Sequence, residues 1–211
     1  CLDRIYEGKD TLCIHNPATG REMSMPHLLK KKVSGLKKII VVGAGPAGLE
    51  AARVCSEQGH SVTVFEASDK PGGQINLITR SKRRKDMAGI IDWRINICEA
   101  NKVKFNFNSF ASKEEILSEK PDIVIIATGG IPNTDILNEG SDLVASTWDI
   151  LSGNVNIEDD VILYDDGGNY PGLQAAEMIS SETSKLEIVT PERFFSPDIG
   201  GMNFVPYGKK C

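Results

Sequence analysis

The sequence predicts an α/β fold on a parallel sheet, from three observations. A continuous apolar run, Ile39-Ile40-Val41-Val42, feeds a glycine-rich turn at Gly43–Gly48. A helix-like stretch from Leu49 to Gly59 follows that turn. A second short strand-like run, Ser61 to Phe65, ends on the acidic Glu66. Apolar runs without alternation are what strands buried on both faces require.

Each element can be justified in order. Residues 1–36 read as an irregular arm, with turn signals at His15-Asn16-Pro17 and Thr19-Gly20 and a breaker at Pro26. Lys30-Lys31-Lys32 reads as a solvated charge run. In the helix after the glycine turn, Leu49, Ala52, Val54 and Cys55 can face the sheet, and Gly59 is a C-terminal stop. Pro71-Gly72-Gly73 breaks the chain. Residues 83–100 space Met87, Ile90, Ile91, Ile95 and Cys98 as a helix does, with Trp93 read as a core or domain contact. Val103 to Phe107 alternates as a strand, 112–118 is a short helix, and Ile123 to Ala127 is a further buried strand ending at Thr128-Gly129-Gly130. From about residue 153 the pattern recurs at lower fidelity: a strand at Val161 to Tyr164, a helix at Gly172 to Ser181 and a strand at Leu186 to Val189. The expected domains are therefore an arm (1–36), a nucleotide-binding domain (37–152) and a partial second unit (153–211). About 20 residues follow Val189, too few for further crossovers of a dozen or more residues each with their strands.

Composition excludes several classes. The 211 residues are 40% hydrophobic and 25% charged, an ordinary globular balance. A net charge of −5 gives no reason to expect nucleic acid. No apolar run approaches the roughly 20 residues that span a bilayer, and no signal pattern opens the chain, so the default location is cytoplasmic. Five cysteines, an odd number without close pairs, argue against a disulfide framework. Cys55 and Cys98 read as core thiols. Cys1 and Cys13 on spacing alone read as unrelated thiols, since metal and cluster sites normally show a close pair. The chain opens on a cysteine without an initiator methionine, which reads as part of something longer.

The motif that carries chemistry is Gly43-Ala44-Gly45-Pro46-Ala47-Gly48, a G-x-G-x-x-G string. Alone it is weak; here a buried strand precedes it, a helix follows, and Glu66 lies 18 positions beyond its last glycine. Gly43 permits the tight turn, Gly45 the approach of backbone to a pyrophosphate, and Gly48 close helix–strand packing. The helix N-terminus attracts the phosphate charge. Glu66 stands where a carboxylate accepts ribose hydroxyls. The unit is thus Rossmann-like and binds the ADP half of a dinucleotide. The basic cluster Arg80, Lys82, Arg83, Arg84 and Lys85 reads as an exposed loop and helix start, with contact to a cofactor phosphate or a partner protein as the alternative. No residue pattern indicates a catalytic acid, base or nucleophile.

The string G-x-G-P-A-G-L-E-A-A, followed by Glu66–Gly73 as E-x5-G-G, resembles the two-dinucleotide-binding flavoproteins. In them this first motif holds the ADP half of FAD. The resemblance extends the cofactor contacts to Gly72, Gly73 and Gln74, and to Ala127, Thr128 and Gly129, which resemble the family's second flavin-domain motif; the bland alternative for Thr128-Gly129-Gly130 is a strand-ending turn. Cys1-Leu2-Asp3-Arg4-Ile5 and Cys13-Ile14-His15-Asn16-Pro17, with Gly20-Arg21-Glu22, match the last two cysteines of the motif C-x-x-C-x-x-x-C-x11-C. Together these residues make the whole chain similar to the C-terminal part of the iron–sulfur flavoproteins that include 2,4-dienoyl-CoA reductase, trimethylamine dehydrogenase, histamine dehydrogenase and N-methylproline (dimethylglycine) demethylase, the Old Yellow Enzyme-type NADH:flavin oxidoreductases. The resemblance implies FAD or ADP at the first turn, Cys1 and Cys13 as ligands of a [4Fe-4S] cluster, and FMN in a barrel absent from this chain. It also implies an electron-transfer flavoprotein as acceptor and a homo-oligomer at full length. With two of four cysteines the chain itself is expected to hold no intact cluster and to turn over no substrate.

The second fingerprint, Gly167-Gly168-Asn169-Tyr170-Pro171-Gly172, departs from the pattern. Asn169 replaces the glycine that meets the pyrophosphate, and Asp165-Asp166 add negative charge beside it. Weak or absent NAD(P) binding is expected. With Ile90-Ile91-Asp92-Trp93-Arg94, this favours the amine dehydrogenase and demethylase branch, which passes electrons from FMN through the cluster. The alternatives are an NAD(P)H-dependent enoyl- or dienoyl-CoA reductase part and a non-catalytic ADP-binding module.

Overall fold

The computed structural model describes residues 2–32, 34–134, 138–183 and 185–208. They gather into two units, Cys1–Asn76 with Asp86–Gly130, and Leu77–Lys85 with Ile131–Cys211. Residues 131–152, assigned on sequence to the first domain, thus fall in the second unit.

The first unit opens on α1 (Leu2–Tyr6), so the arm expected to be irregular contains one short helix. Its core is β1 (Lys38–Val42), α2 (Pro46–Glu57) and β2 (Ser61–Phe65). Then come α3 (Ile75–Ile78), which ends in the second unit, α4 (Gly89–Ala100), β3 (Lys104–Asn106), α5 (Lys113–Ser118) and β4 (Ile123–Ile126). The four strands are parallel in the order β3-β2-β1-β4. This is a Rossmann-like α/β sheet, as the sequence predicts. The register pairs Val42 with Phe65 and with Ile126, so the carboxyl ends of β1, β2 and β4 finish level. That edge is where open α/β sheets bind ligands.

The unbroken apolar run of β1 is buried as expected: Ile39, Ile40 and Val41 are all at most 3% exposed. Leu49 and Ala52 of α2 are fully buried. Removing a side chain such as Ile40 or Leu49 from water contributes about 2–3 kcal/mol. Helix α2 starts at Pro46 because proline has no amide to leave unpaired at a first turn. It ends before Gly59, whose φ of +96° suits glycine.

Three expectations need correction. Strand β4 is not buried throughout: Ile126 is 68% exposed, because β4 pairs only with β1 and forms a sheet edge among the described residues. The helix expected over 83–100 divides at Gly89, with a tighter 3-10 segment at Lys82–Ala88 before α4. Trp93 is 45% exposed and not a core residue; the guanidinium carbons of Arg53 and Arg94 lie 5.2 and 5.6 Å from its ring centre.

The second unit pairs β5 (Asp160–Tyr164) with β6 (Lys185–Val189) in parallel, crossed by α7 (Tyr170–Ile179). Before them runs α6 (Thr147–Ser152), and after them α8 (Gly201–Gly208). The pattern reading missed α6, although Ser146 and Asp149 form a capping box at its start. Leu163, Ala175, Ala176 and Ile179 form one core cluster; Leu173, Ile199 and Tyr207 form another. The basic cluster is partly spent inside this unit. Arg83 pairs with Glu177 at 2.8 Å and donates to the Pro206 carbonyl, while Arg84 lies 4.0 Å from the Tyr170 ring centre.

Candidate nucleotide site

Three loops that are distant in sequence meet at the carboxyl edge of the first sheet. The first is the glycine turn. Gly43 leaves β1 with φ +103°, and a Cβ on it would sit 2.4 Å from the Ala127 carbonyl oxygen and 3.2 Å from the Thr128 nitrogen. Gly43 therefore brings the 127–129 segment against the turn. The second contact is Gly72, whose N–H donates to the Ala44 carbonyl at 2.9 Å. Beside it, a Cβ on Gly73 would lie 3.2 Å from the Gly45 Cα. The third closes the ring: the Gly129 Cβ position lies 3.9 Å from Gln74 Nε2. So Gly43, Gly45, Pro46, Ala47, Gly48, Gly72, Gly73, Gln74, Ala127, Thr128 and Gly129 occupy one neighbourhood.

Each glycine has its own physical reason. A Cβ on Gly48 would fall 1.9 Å from the Gly43 carbonyl oxygen, so only glycine lets α2 start this close to the strand. At Gly45 a Cβ would meet nothing within 4 Å. That position is open space at the N-terminus of a 12-residue helix with no acidic residue in its first turn. The unpaired amides and the helix dipole there favour an anion.

Glu66 faces the same turn. Its Oε2 accepts the Ala44 N–H at 2.6 Å and its Oε1 accepts the Ser68 N–H at 2.8 Å. The first of these bonds fixes the carboxylate at the rim of the glycine turn, the position that ribose recognition requires.

The sequence reading missed a buried charge network behind the turn. Glu50 Oε2, one helical turn into α2, is 2.8 Å from Arg94 Nε, and Glu50 Oε1 is 2.6 Å from Arg53. Arg94, 4% exposed, also donates to the carbonyls of Ile90 and His15. It thereby ties the arm to both helices. Burial pushes the Glu50 carboxyl up, but Arg53 and Arg94 more than offset it and hold it below its ordinary range. The Glu50/Arg53 spacing of three was the available signal; the reach of Arg94 to His15 had none.

Cys13 lies in the arm two residues before His15. The N–H groups of Asn16 and His15 point at its sulfur and hold the thiol below its ordinary range. Cys1, its expected partner, falls outside the described residues, and among the described residues no group of three or more His, Cys, Asp or Glu gathers to hold a metal. Cys98 is fully buried and its thiol is pushed up to about 12 by that burial; Cys55 is only partly buried, and its thiol is also raised. Neither is poised to react. No helix among the described residues is long and apolar enough to cross a membrane.

Residues 41–102 match the model of the NAD(P)-binding Rossmann-like domain. The chain is 52% identical over 207 residues to a protein of Rhizobium meliloti (strain 1021) described as a probable N-methylproline demethylase, covering 98% of this chain and 30% of that protein. It is 40% identical to the N,N-dimethylglycine/sarcosine dehydrogenase of Chromohalobacter salexigens, over 98% of this chain and 31% of that one. Among solved structures, 2-naphthoyl-CoA reductase superposes with a TM-score of 0.88 at 31% identity, over 99% of this chain and 31% of the other. Histamine dehydrogenase from Rhizobium sp. 4-9 gives 0.84 at 25% identity, over 99% of this chain and 34% of the other. The chain thus spans about 30% of the length of the curated relatives it matches.

Proposed function

We propose, from the premise that this chain belongs to the flavoprotein oxidoreductase family of N-methylproline demethylase and N,N-dimethylglycine/sarcosine dehydrogenase, that it is the nucleotide-binding, electron-transfer part of an amine dehydrogenase or N-demethylase. The observation that carries the reading is the meeting of the 43–48, 72–74 and 127–129 loops under the Glu66 carboxylate. The α2 N-terminus and the open space at Gly45 take the pyrophosphate of FAD or ADP. Glu66 accepts the ribose hydroxyls. These residues bind and orient; the redox chemistry belongs to the cofactor.

The Cys13 turn fits an iron–sulfur ligand, because amide N–H groups directed at a sulfur stabilise the thiolate that binds metal. A [4Fe-4S] cluster, when bound by a longer chain, supplies one-electron transfer between flavin and acceptor. Cys13 and Cys1 would hold two of its four iron positions, and the longer protein would supply the others together with an FMN barrel, with an electron-transfer flavoprotein as the acceptor. The chain works in the cytoplasm.

The test is chemical. The longer protein is denatured as purified, without added nucleotide, and whatever it releases is identified by mass spectrometry. One equivalent of FAD or ADP per chain is expected. Release of neither, with no binding by calorimetry, rejects the reading; ADP alone on a colourless protein leaves the non-catalytic ADP module.

A second reading, part of an NAD(P)H-dependent enoyl- or dienoyl-CoA reductase, is favoured by the 0.88 TM-score with 2-naphthoyl-CoA reductase. Anaerobic mixing separates the two. Bleaching of the longer protein's flavin by an N-methyl amino acid supports the first reading, and bleaching by NADPH supports the second.

A further inference from the structure

The second strand–turn–helix is not a worn copy of the first, because a different residue fills its centre. In the first unit Gly43 follows β1 and its N–H donates to the carbonyl of Phe65, the last residue of β2. In the second unit Asp165 follows β5 and its N–H donates to the carbonyl of Val189, the last residue of β6. Asp165 therefore stands where Gly43 stands. The helix glycine comes five positions after Gly43, at Gly48, but seven positions after Asp165, at Gly172. The second turn is two residues longer.

The extra length encloses a carboxylate. Asp165 is 4% exposed, and its Oδ1 accepts the Gly168 N–H at 3.1 Å. Its Oδ1 also lies 2.7 Å from where a Cβ on Gly172 would be, so the side chain sits beneath the start of α7. Asp165 Oδ2 is buried and has no hydrogen-bond partner among the described residues. The turn is capped from the other side as well. The Pro197 ring lies 3.0 Å from the Cβ position of Gly168, and the Asp198 N–H donates to the Gly168 carbonyl. Where Gly45 leaves open space, Asn169 carries a side chain. Where Glu66 follows β2, Thr190 follows β6, so that position carries no carboxylate.

We propose that Asp165 is the specificity-determining residue of the second unit: its carboxylate takes, from inside the fold, the anion position at the start of α7 and closes that turn to the pyrophosphate of NAD(P)H. A helix N-terminus favours one negative charge and repels a second held beside it. One turn amide is also already committed to Asp165. Among the described residues one nucleotide turn then remains open, at Gly43–Gly48, and NAD(P)H does not enter through the second unit.

NADPH titration by calorimetry and fluorescence tests this in three backgrounds. In the chain carrying Gly45→Trp, which blocks the first turn, NADPH binding weaker than about 1 mM is expected. Adding Asp165→Ser with Asn169→Gly should tighten NADPH by at least about tenfold, the scale of one relieved like-charge contact. Asp165→Asn, which keeps the shape and removes the charge, is the second variant should the first fail to fold, with gain again expected. Micromolar NADPH binding in Gly45→Trp alone overturns the proposal whatever the variants do. No gain from either Asp165 replacement overturns it too. ADP titration of the unaltered chain is read separately, so a failure of the first site is distinguishable from a failure here.

Discussion

The two strand–turn–helix starts share a sequence grammar and differ in what lies under the turn. In the first, backbone meets backbone. Gly48 rides on the Gly43 carbonyl, and a Cβ on Gly45 would meet nothing within 4 Å. In the second, a side chain lies between strand and helix, and Gly172 rides on the Asp165 carboxylate. The sheets differ in the same sense. Strand β1 buries three consecutive residues, whereas β5 buries Leu163 and leaves Ile162 70% exposed. Among the described residues, the first turn carries no side chain at Gly45, whereas the second carries that of Asn169 at the matching helix start.

The largest expected effect tests the nature of that contact. Gly48→Ala forces a methyl group onto a backbone carbonyl that cannot move without distorting β1. A destabilisation of about 3 kcal/mol is expected by urea denaturation. Gly172→Ala pushes on a carboxylate at the end of a side chain that can swing aside, so about 1 kcal/mol is expected. Equal losses at the two glycines would dissolve the distinction between the turns.

Gly45→Val sharpens the comparison without touching the fold. Its new side chain meets no protein atom near its Cβ, so the denaturation midpoint stays where it is. ADP affinity falls by about 100-fold, because the backbone no longer approaches the pyrophosphate. Calorimetry checks the affinity and a melt the stability. A variant that binds ADP normally would remove the pyrophosphate from this turn.

Most of the first unit was legible because its signals are local and redundant. An unbroken apolar run, six turn residues and one acid at the next strand end all name the same structure. The second unit was legible as a repeat but not as a closed turn. Asp165 looked like charge near a phosphate, and only the β5–β6 register puts it in the place of Gly43. The core alternative for Trp93 and the full burial expected of β4 failed for a related reason. An apolar or aromatic residue declares a preference for burial, but what covers it is decided by neighbours remote in sequence. Arg94 was the deepest omission, since its partners Glu50 and His15 lie 44 and 79 positions away.

Glu66→Gln has a smaller effect and bears on the rim of the first turn. The amide keeps the length of the side chain and loses the charge that strengthens bonds to Ala44 and to ribose hydroxyls. ADP affinity should fall by about tenfold, worth about 1.4 kcal/mol. The second unit has Thr190 at this position, so a normal affinity in Glu66→Gln would mean that the two rims are equivalent after all.

The smallest expected effect is a pH dependence confined to the first unit. Glu50 is ionised between Arg53 and Arg94, and its folded pKa lies below its unfolded value. The stabilisation is therefore complete above the ordinary carboxylate pKa of about 4.3 and is lost as pH falls through the lower, folded value. Neutral Glu50 releases Arg94, which then holds the His15 carbonyl and Ile90 without its counter-charge. Acid should thus loosen the Cys13 arm first, while the β5–α7–β6 unit keeps its structure. Hydrogen exchange at Ile14 to Ala18, followed from pH 6 to pH 3 and corrected for intrinsic rates, is the direct measure. Glu50→Gln should make that exchange fast already at pH 6 and nearly independent of pH below it. Protection that holds to pH 3 in the unaltered chain would mean that Arg94 anchors the arm without Glu50, and that the charge network serves the helix pair α2–α4 alone.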